Sequence, residues 1–139
     1  METIRMAQAD SGQSVQERPL SPHIQIYSNQ INMLMSIVHR ITGGALYFGT
    51  LLLAWWLIAA ATGPSYFDFV SWLFGSILGK IILFGYTWAL MHHMLGGVRH
   101  LIWDTGRGFG LGTVRLFGWL SLFCSIILTA AIWFVATNA

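Results

Sequence analysis

Three long apolar runs, separated by polar or glycine-rich breaks, set the order of this chain. They cover about Ile41 to Ala61, Ile77 to Ile102 and Phe117 to Ala136. A helix needs roughly 20 apolar residues to span a bilayer, and each run is long enough. None alternates strictly enough to be a barrel strand. The pattern predicts an all-α membrane protein with three transmembrane helices. Between the first two runs, Thr62-Gly63-Pro64-Ser65 breaks the helix. A single helix from 66 to 102 would be about 55 Å long, against a hydrocarbon core of roughly 30 Å. The aromatic stretch at 66–74 is therefore expected as a separate interfacial piece. Thr105 to Gly112 reads as a glycine-rich turn. It does not read as a phosphate loop, because no strand precedes it and no Gly-Lys-Ser/Thr follows. Residues 1–28 are expected as a polar tail and surface strap, and residues 29–139 as the three-helix membrane anchor.

Composition agrees with this division. The chain of 139 residues is 55% hydrophobic and 9% charged, whereas soluble domains carry about 25% charged residues. A net charge of +2 is too small and too scattered for a nucleic-acid surface. Residues 1–17 resemble neither a signal peptide, which needs an apolar core, nor an Arg-rich, acid-poor transit peptide. A bacterial inner membrane is the expected location, with the mitochondrial inner membrane as the organellar alternative. Cys124, the single cysteine, lies in an apolar run and is read as packing.

Lys and Arg placement sets the orientation. Arg5, Arg18 and Arg40 precede or open the first span, and Arg99, Arg107 and Arg115 cluster between the second and third. The N-terminus and the 103–116 loop are expected on the cytoplasmic or matrix side and the C-terminus on the periplasmic side. Lys80, near the outer end of the second span, is the exception and can snorkel outward.

That orientation brings two polar clusters into one leaflet. The first is Ser36, His39 and Arg40, and the second runs from His92 to His100. Ionisable residues in or beside hydrocarbon are costly and mark candidate sites. On a helix, His93, Gly96, Gly97, His100 and Asp104 fall on one face. The two histidines on it are about 10.5 Å apart along the axis, too far to share one metal ion but suited to a flat cofactor. The glycines would leave room for a macrocycle, and haem bound through a neutral imidazole is the natural candidate. His92 points about 100° away and is the competing ligand. A histidine here can also serve simply as a hydrogen-bonding partner between helices. In the first cluster, Ser36 and Arg40 could donate to a carbonyl oxygen, and His39 and Arg40 could pair with a carboxylate. Arg40 could equally do no more than set the topology.

Three stretches together carry a resemblance: Arg18-Pro-Leu-Ser-Pro-His23-x-x-x-Tyr27, Ser36-x-x-His39-Arg40-x-Thr42-Gly43, and His93-x-x-x-Gly97-x-Arg99-His100-x-x-x-Asp104. In order, spacing and topology the chain resembles the cytochrome b556 membrane-anchor subunits of succinate dehydrogenase, respiratory complex II, over roughly residues 18–137. The resemblance implies an electron-transfer anchor that is inactive alone and sits in a heteromeric helical bundle. Its partners would be a flavoprotein subunit, an iron–sulfur subunit and a second membrane anchor. It implies haem b as cofactor, with His93 as one axial ligand to the iron and a histidine of the second anchor as the other. It also implies ubiquinone as substrate. Ser36 and Arg40 match quinone-pocket positions, and His39 and Arg40 match positions near the haem propionates. Arg99, His100 and Asp104 match the pattern at the inner membrane edge. A structural tether without cofactor is the main rival. A channel or transporter subunit would need a polar path that Ser121, Cys124, Ser125 and Thr129 alone do not provide.

Overall fold

The computed structural model describes Ser28 and residues 30–139. The polar tail expected at 1–17 and the strap from Arg18 to Tyr27 lie outside the described residues. Four helices follow in order: α1 (Ile31–Thr62), α2 (Pro64–Gly75), α3 (Ile77–Asp104) and α4 (Leu111–Asn138). No strand occurs among the described residues. Helices α1, α3 and α4 are long and apolar enough to cross a membrane.

The long helices outrun the apolar stretches that announced them. Helix α1 begins at Ile31, well before the span expected from Ile41. No glycine or proline interrupts residues 31–40, so backbone hydrogen bonding continues past the apolar segment. Ser36, His39 and Arg40 consequently ride on the second and third turns of a helix. At 66–74 the expected separate piece is the helix α2. Gly63 adopts φ 143°, a conformation glycine tolerates and other residues avoid. Pro64 then opens α2 at a position where its missing N–H costs nothing.

Between α2 and α3 the extended Ser76 makes the joint. Its hydroxyl donates to the Leu73 carbonyl at 2.6 Å and accepts from the Gly79 amide at 3.1 Å. A Cβ on Gly79 would run into the Leu73 and Phe74 carbonyls, so this tight corner requires glycine. The Trp55 indole donates to the Tyr66 hydroxyl at 2.7 Å, and Trp55 meets Phe74 edge-on, which folds α2 back along α1.

Helix α3 packs against both α1 and α4, and α1 also touches α4. What these interfaces bury is mostly small or polar: Thr42, Gly49 and Ala59 on α1, Gly79, Ala89 and Gly96 on α3, and Gly118, Ser121, Ser125 and Thr129 on α4, with Met35 of α1 the large apolar exception, lying near Gly118. The α4 set follows steps of three and four and forms one face. Large apolar side chains such as Leu51, Phe84, Phe123 and Ile127 point outward. This is the expected pattern where lipid tails are as apolar as leucine and close backbone approach drives association.

At Gly49 the approach is closest. The Tyr86 ring fills the space a Cβ would take. Gly49→Ala is expected to cost about 1–3 kcal/mol through overpacking, read as a lower thermal midpoint of the detergent-solubilised protein. Adding Tyr86→Leu should restore most of the loss. Gly85, whose Cβ position is open, supplies the neutral control Gly85→Ala.

Candidate functional site

The two polar clusters meet through His39. Its ring stacks on that of His93, with centroids 4.1 Å apart and planes 9° from parallel. It also lies 5.3 Å from the His100 ring. His39 thus occupies the interval between the two α3 histidines. The glycines of α3 share out the space differently from expectation. A Cβ on Gly96 would strike the His39 ring, so that notch is filled by a side chain of this protein, whereas Gly97 and Gly44 have open space around them. Across the interface, Gly43 admits the His93 ring, with Cε1 3.0 Å from a built Cβ.

The protonation of His93 follows from its partners. Its Nδ1 lies 3.2 Å from the His39 carbonyl oxygen and 3.5 Å from the Thr42 hydroxyl. A carbonyl can only accept, so Nδ1 carries the hydrogen. In the neutral ring, Nε2 then presents the lone pair. Thr42 donates to the same His39 carbonyl at 3.0 Å and is itself buried. The carbonyl of one α1 residue therefore fixes the tautomer and pose of an α3 histidine. The Nε2 of His39 is buried without a hydrogen-bond partner among the described residues.

His92 turns the other way. It is 2% exposed, its Nδ1 lies 3.4 Å from the Ser125 hydroxyl, and it stacks on Trp88 with centroids 5.4 Å apart. The Ser125 hydroxyl hydrogen goes to the Leu122 carbonyl at 2.7 Å, so His92 donates to Ser125. The two adjacent histidines thus serve different interfaces, His92 with α4 and His93 with α1.

The remaining candidates divide between the surface and the interior. Ser36 and Arg40 are exposed, and Ser36, three residues before His39, neighbours it on the helix. His100 is exposed and meets the Trp103 ring edge-on at 5.2 Å. Asp104 is the exposed last residue of α3. Arg99 is buried and borders α4 residues Phe117, Leu120, Ser121 and Cys124. Cys124 is a half-buried free thiol between α3 and α4. Sequence reasoning assigned no role to Thr42 or to the Trp88 and Ser125 partners of His92. For Thr42 the available signal was its position three residues after His39, within reach of that carbonyl.

Comparison with known proteins gives one consistent answer. A family model described as "Succinate dehydrogenase/Fumarate reductase transmembrane subunit" matches residues 14–132. The succinate dehydrogenase cytochrome b556 subunit of Rickettsia felis is 42% identical over 117 residues, covering 84% of this chain and 91% of that one. The corresponding subunit of Paracoccus denitrificans is 50% identical over 91 residues, 66% of this chain and 70% of its own. The mitochondrial succinate dehydrogenase cytochrome b560 subunit of Sus scrofa is 38% identical over 115 residues, 79% of this chain and 66% of that protein. On the extent of these matches, with three membrane-crossing helices beneath them, the chain belongs to the succinate dehydrogenase/fumarate reductase transmembrane subunit family.

Proposed function

We propose that this chain is the membrane anchor of a succinate:ubiquinone oxidoreductase that holds haem b through His93 and contributes Ser36 and Arg40 to the quinone-reduction site. The observation that carries the reading is the His39–His93 stack at 4.1 Å, because it joins the polar cluster of α1 to that of α3. The donor set fits a haem. His93 offers an Nε2 lone pair behind an anchored Nδ1–H, the arrangement that orients metal-bound histidines. The flanks at Gly44 and Gly97 are open. The exposed Arg40 can donate to propionate carboxylates, with His39 beside His93 in the same cluster. Among the described residues no three His, Cys, Asp or Glu side chains converge as for a bare metal ion. When bound, the haem supplies one-electron redox chemistry at its iron.

The tasks of the protein groups are then specific. His93 is held in pose by the His39 carbonyl, with Thr42 sharing that carbonyl. Ser36 donates its O–H to a quinone carbonyl oxygen. Arg40 stabilises negative charge as it develops on the ring oxygens. Protons come from the aqueous side that Arg40, Arg107 and Arg115 mark as cytoplasmic or matrix, which leaves the C-terminus periplasmic. His100 and Asp104 lie at that same edge. In this reading residues 1–28 form the polar tail and strap, and residues 29–139 the anchor. A second anchor subunit would help hold the haem, and the iron–sulfur subunit would deliver electrons drawn from succinate by the flavoprotein. This chain alone is then inactive.

The test is a visible spectrum of the purified complex, oxidised and dithionite-reduced. A b-type difference spectrum is the expected outcome. A colourless anchor, with visible absorbance only from flavin and iron–sulfur centres, would instead make the chain a structural tether.

A further inference from the structure

Among the described lysines and arginines, Arg99 alone is buried, at 6% exposure. Its Nε has no hydrogen-bond partner among the described residues. Its guanidinium carbon lies 5.1 Å from the centre of the Trp103 ring, a contact that attracts the cation but neutralises nothing. The acids among the described residues are Asp68 and Asp104. Asp68 sits on α2, away from this end of α3. Asp104 follows Arg99 by five residues and so points about 140° away around the helix. A cation buried beside hydrocarbon without a counter-charge is strongly unfavourable. The charge therefore calls for an anion from outside the described residues.

The surroundings say what kind of anion fits. Arg99 lines a groove of about 130 Å³ between α3 and α4, together with Leu95, Phe117, Ser121 and Cys124. The rim residues Val98, Ile102 and Leu120 are apolar and exposed. The groove lies in the last turns of α3 and the first turns of α4, at the end where Arg107 and Arg115 are also exposed. An acidic side chain of another subunit would satisfy the guanidinium but would make no use of an apolar rim open to the side. A phospholipid uses both. Its phosphate matches the planar donor fork, and its chains match the rim. Basic pockets between transmembrane helices at the inner face are known to suit such headgroups.

We propose that the α3–α4 groove binds an anionic phospholipid, its phosphate against the Arg99 guanidinium and its acyl chains along Val98, Ile102 and Leu120. The groove is lined by α3 and α4 residues and includes neither His39 nor His93, and the proposal does not depend on the haem or quinone reading.

Native mass spectrometry of the purified complex after a stepwise detergent wash tests it, with rebinding of phosphatidylglycerol measured in parallel. The wild-type complex is expected to retain a phospholipid that Arg99→Gln loses, and rebinding should weaken about five- to tenfold. Arg99→Lys should recover part of the affinity. Cys124→Trp fills the groove without touching the cation and should also expel the lipid. This second variant keeps the test decisive if Arg99→Gln fails to assemble. Equal retention by wild type and Cys124→Trp would overturn the proposal. So would equal rebinding of phosphatidylcholine, or protection by inorganic phosphate as strong as by phosphatidylglycerol. A washed wild-type complex that is lipid-free but fully stable would assign Arg99 to an acidic side chain of another subunit.

Discussion

Replacing His93 by Ala is expected to abolish, or reduce severalfold, the reduced b-type absorbance of the purified complex, while His92→Leu leaves that absorbance in place. The contrast rests on two adjacent residues held by different helices. His93 has Nδ1 tied to an α1 carbonyl at 3.2 Å, which leaves Nε2 as the lone-pair nitrogen for iron. His92 is closed in by Trp88 and Ser125 and is 2% exposed. Its loss should be felt as weaker α3–α4 packing, through the altered fit against Trp88 and the lost hydrogen bond to the Ser125 oxygen, and read as a lower thermal midpoint. Spectra of the two variants at equal subunit content check the assignment. Retained absorbance in His93→Ala with loss in His92→Leu would reverse it.

The second large effect belongs to Arg40. Arg40→Ala should lower quinone reduction by about 10²-fold, the scale seen when one preorganised donor to a developing anion is removed. Succinate oxidation with an artificial acceptor upstream of the membrane should persist, because Arg40 is exposed on α1 among the described residues. Arg40→Lys keeps the charge but loses the planar donor fork, so its rate should fall between the two. Parallel assays with quinone and with a soluble dye separate this role from assembly, since loss of both activities together would mean that the subunits had come apart.

The three spans and the break at Gly63-Pro64 were legible in the sequence because apolar length and helix-breaking residues act locally. The helix starts at Ile31 and Leu111 were less so. Hydropathy measures hydrocarbon contact, and a backbone helix continues past it wherever nothing interrupts its hydrogen bonding. The one-face arrangement of His93 and His100 could be read from spacing alone, and the ring contacts with His39 agree with it. The occupant of Gly96 could not be read, since the ring filling that notch comes from a residue 57 positions earlier in the chain. Between His92 and His93, the motif spacing to Arg99-His100 favours His93. What spacing could not show is that they contact different helices, His93 α1 and His92 α4. Arg99 shows the same limit. In sequence it belongs to the His93-to-Asp104 pattern, but in the fold it borders the α4 residues Phe117, Ser121 and Cys124.

The account is tested most directly by a density map of the assembled, oxidised complex at a resolution that separates side chains. It predicts haem iron bonded to His93 Nε2, a histidine of the second anchor opposite, and Ser36 and Arg40 bordering the quinone. Iron bonded to His92 or His39, or no haem against α3, would contradict it.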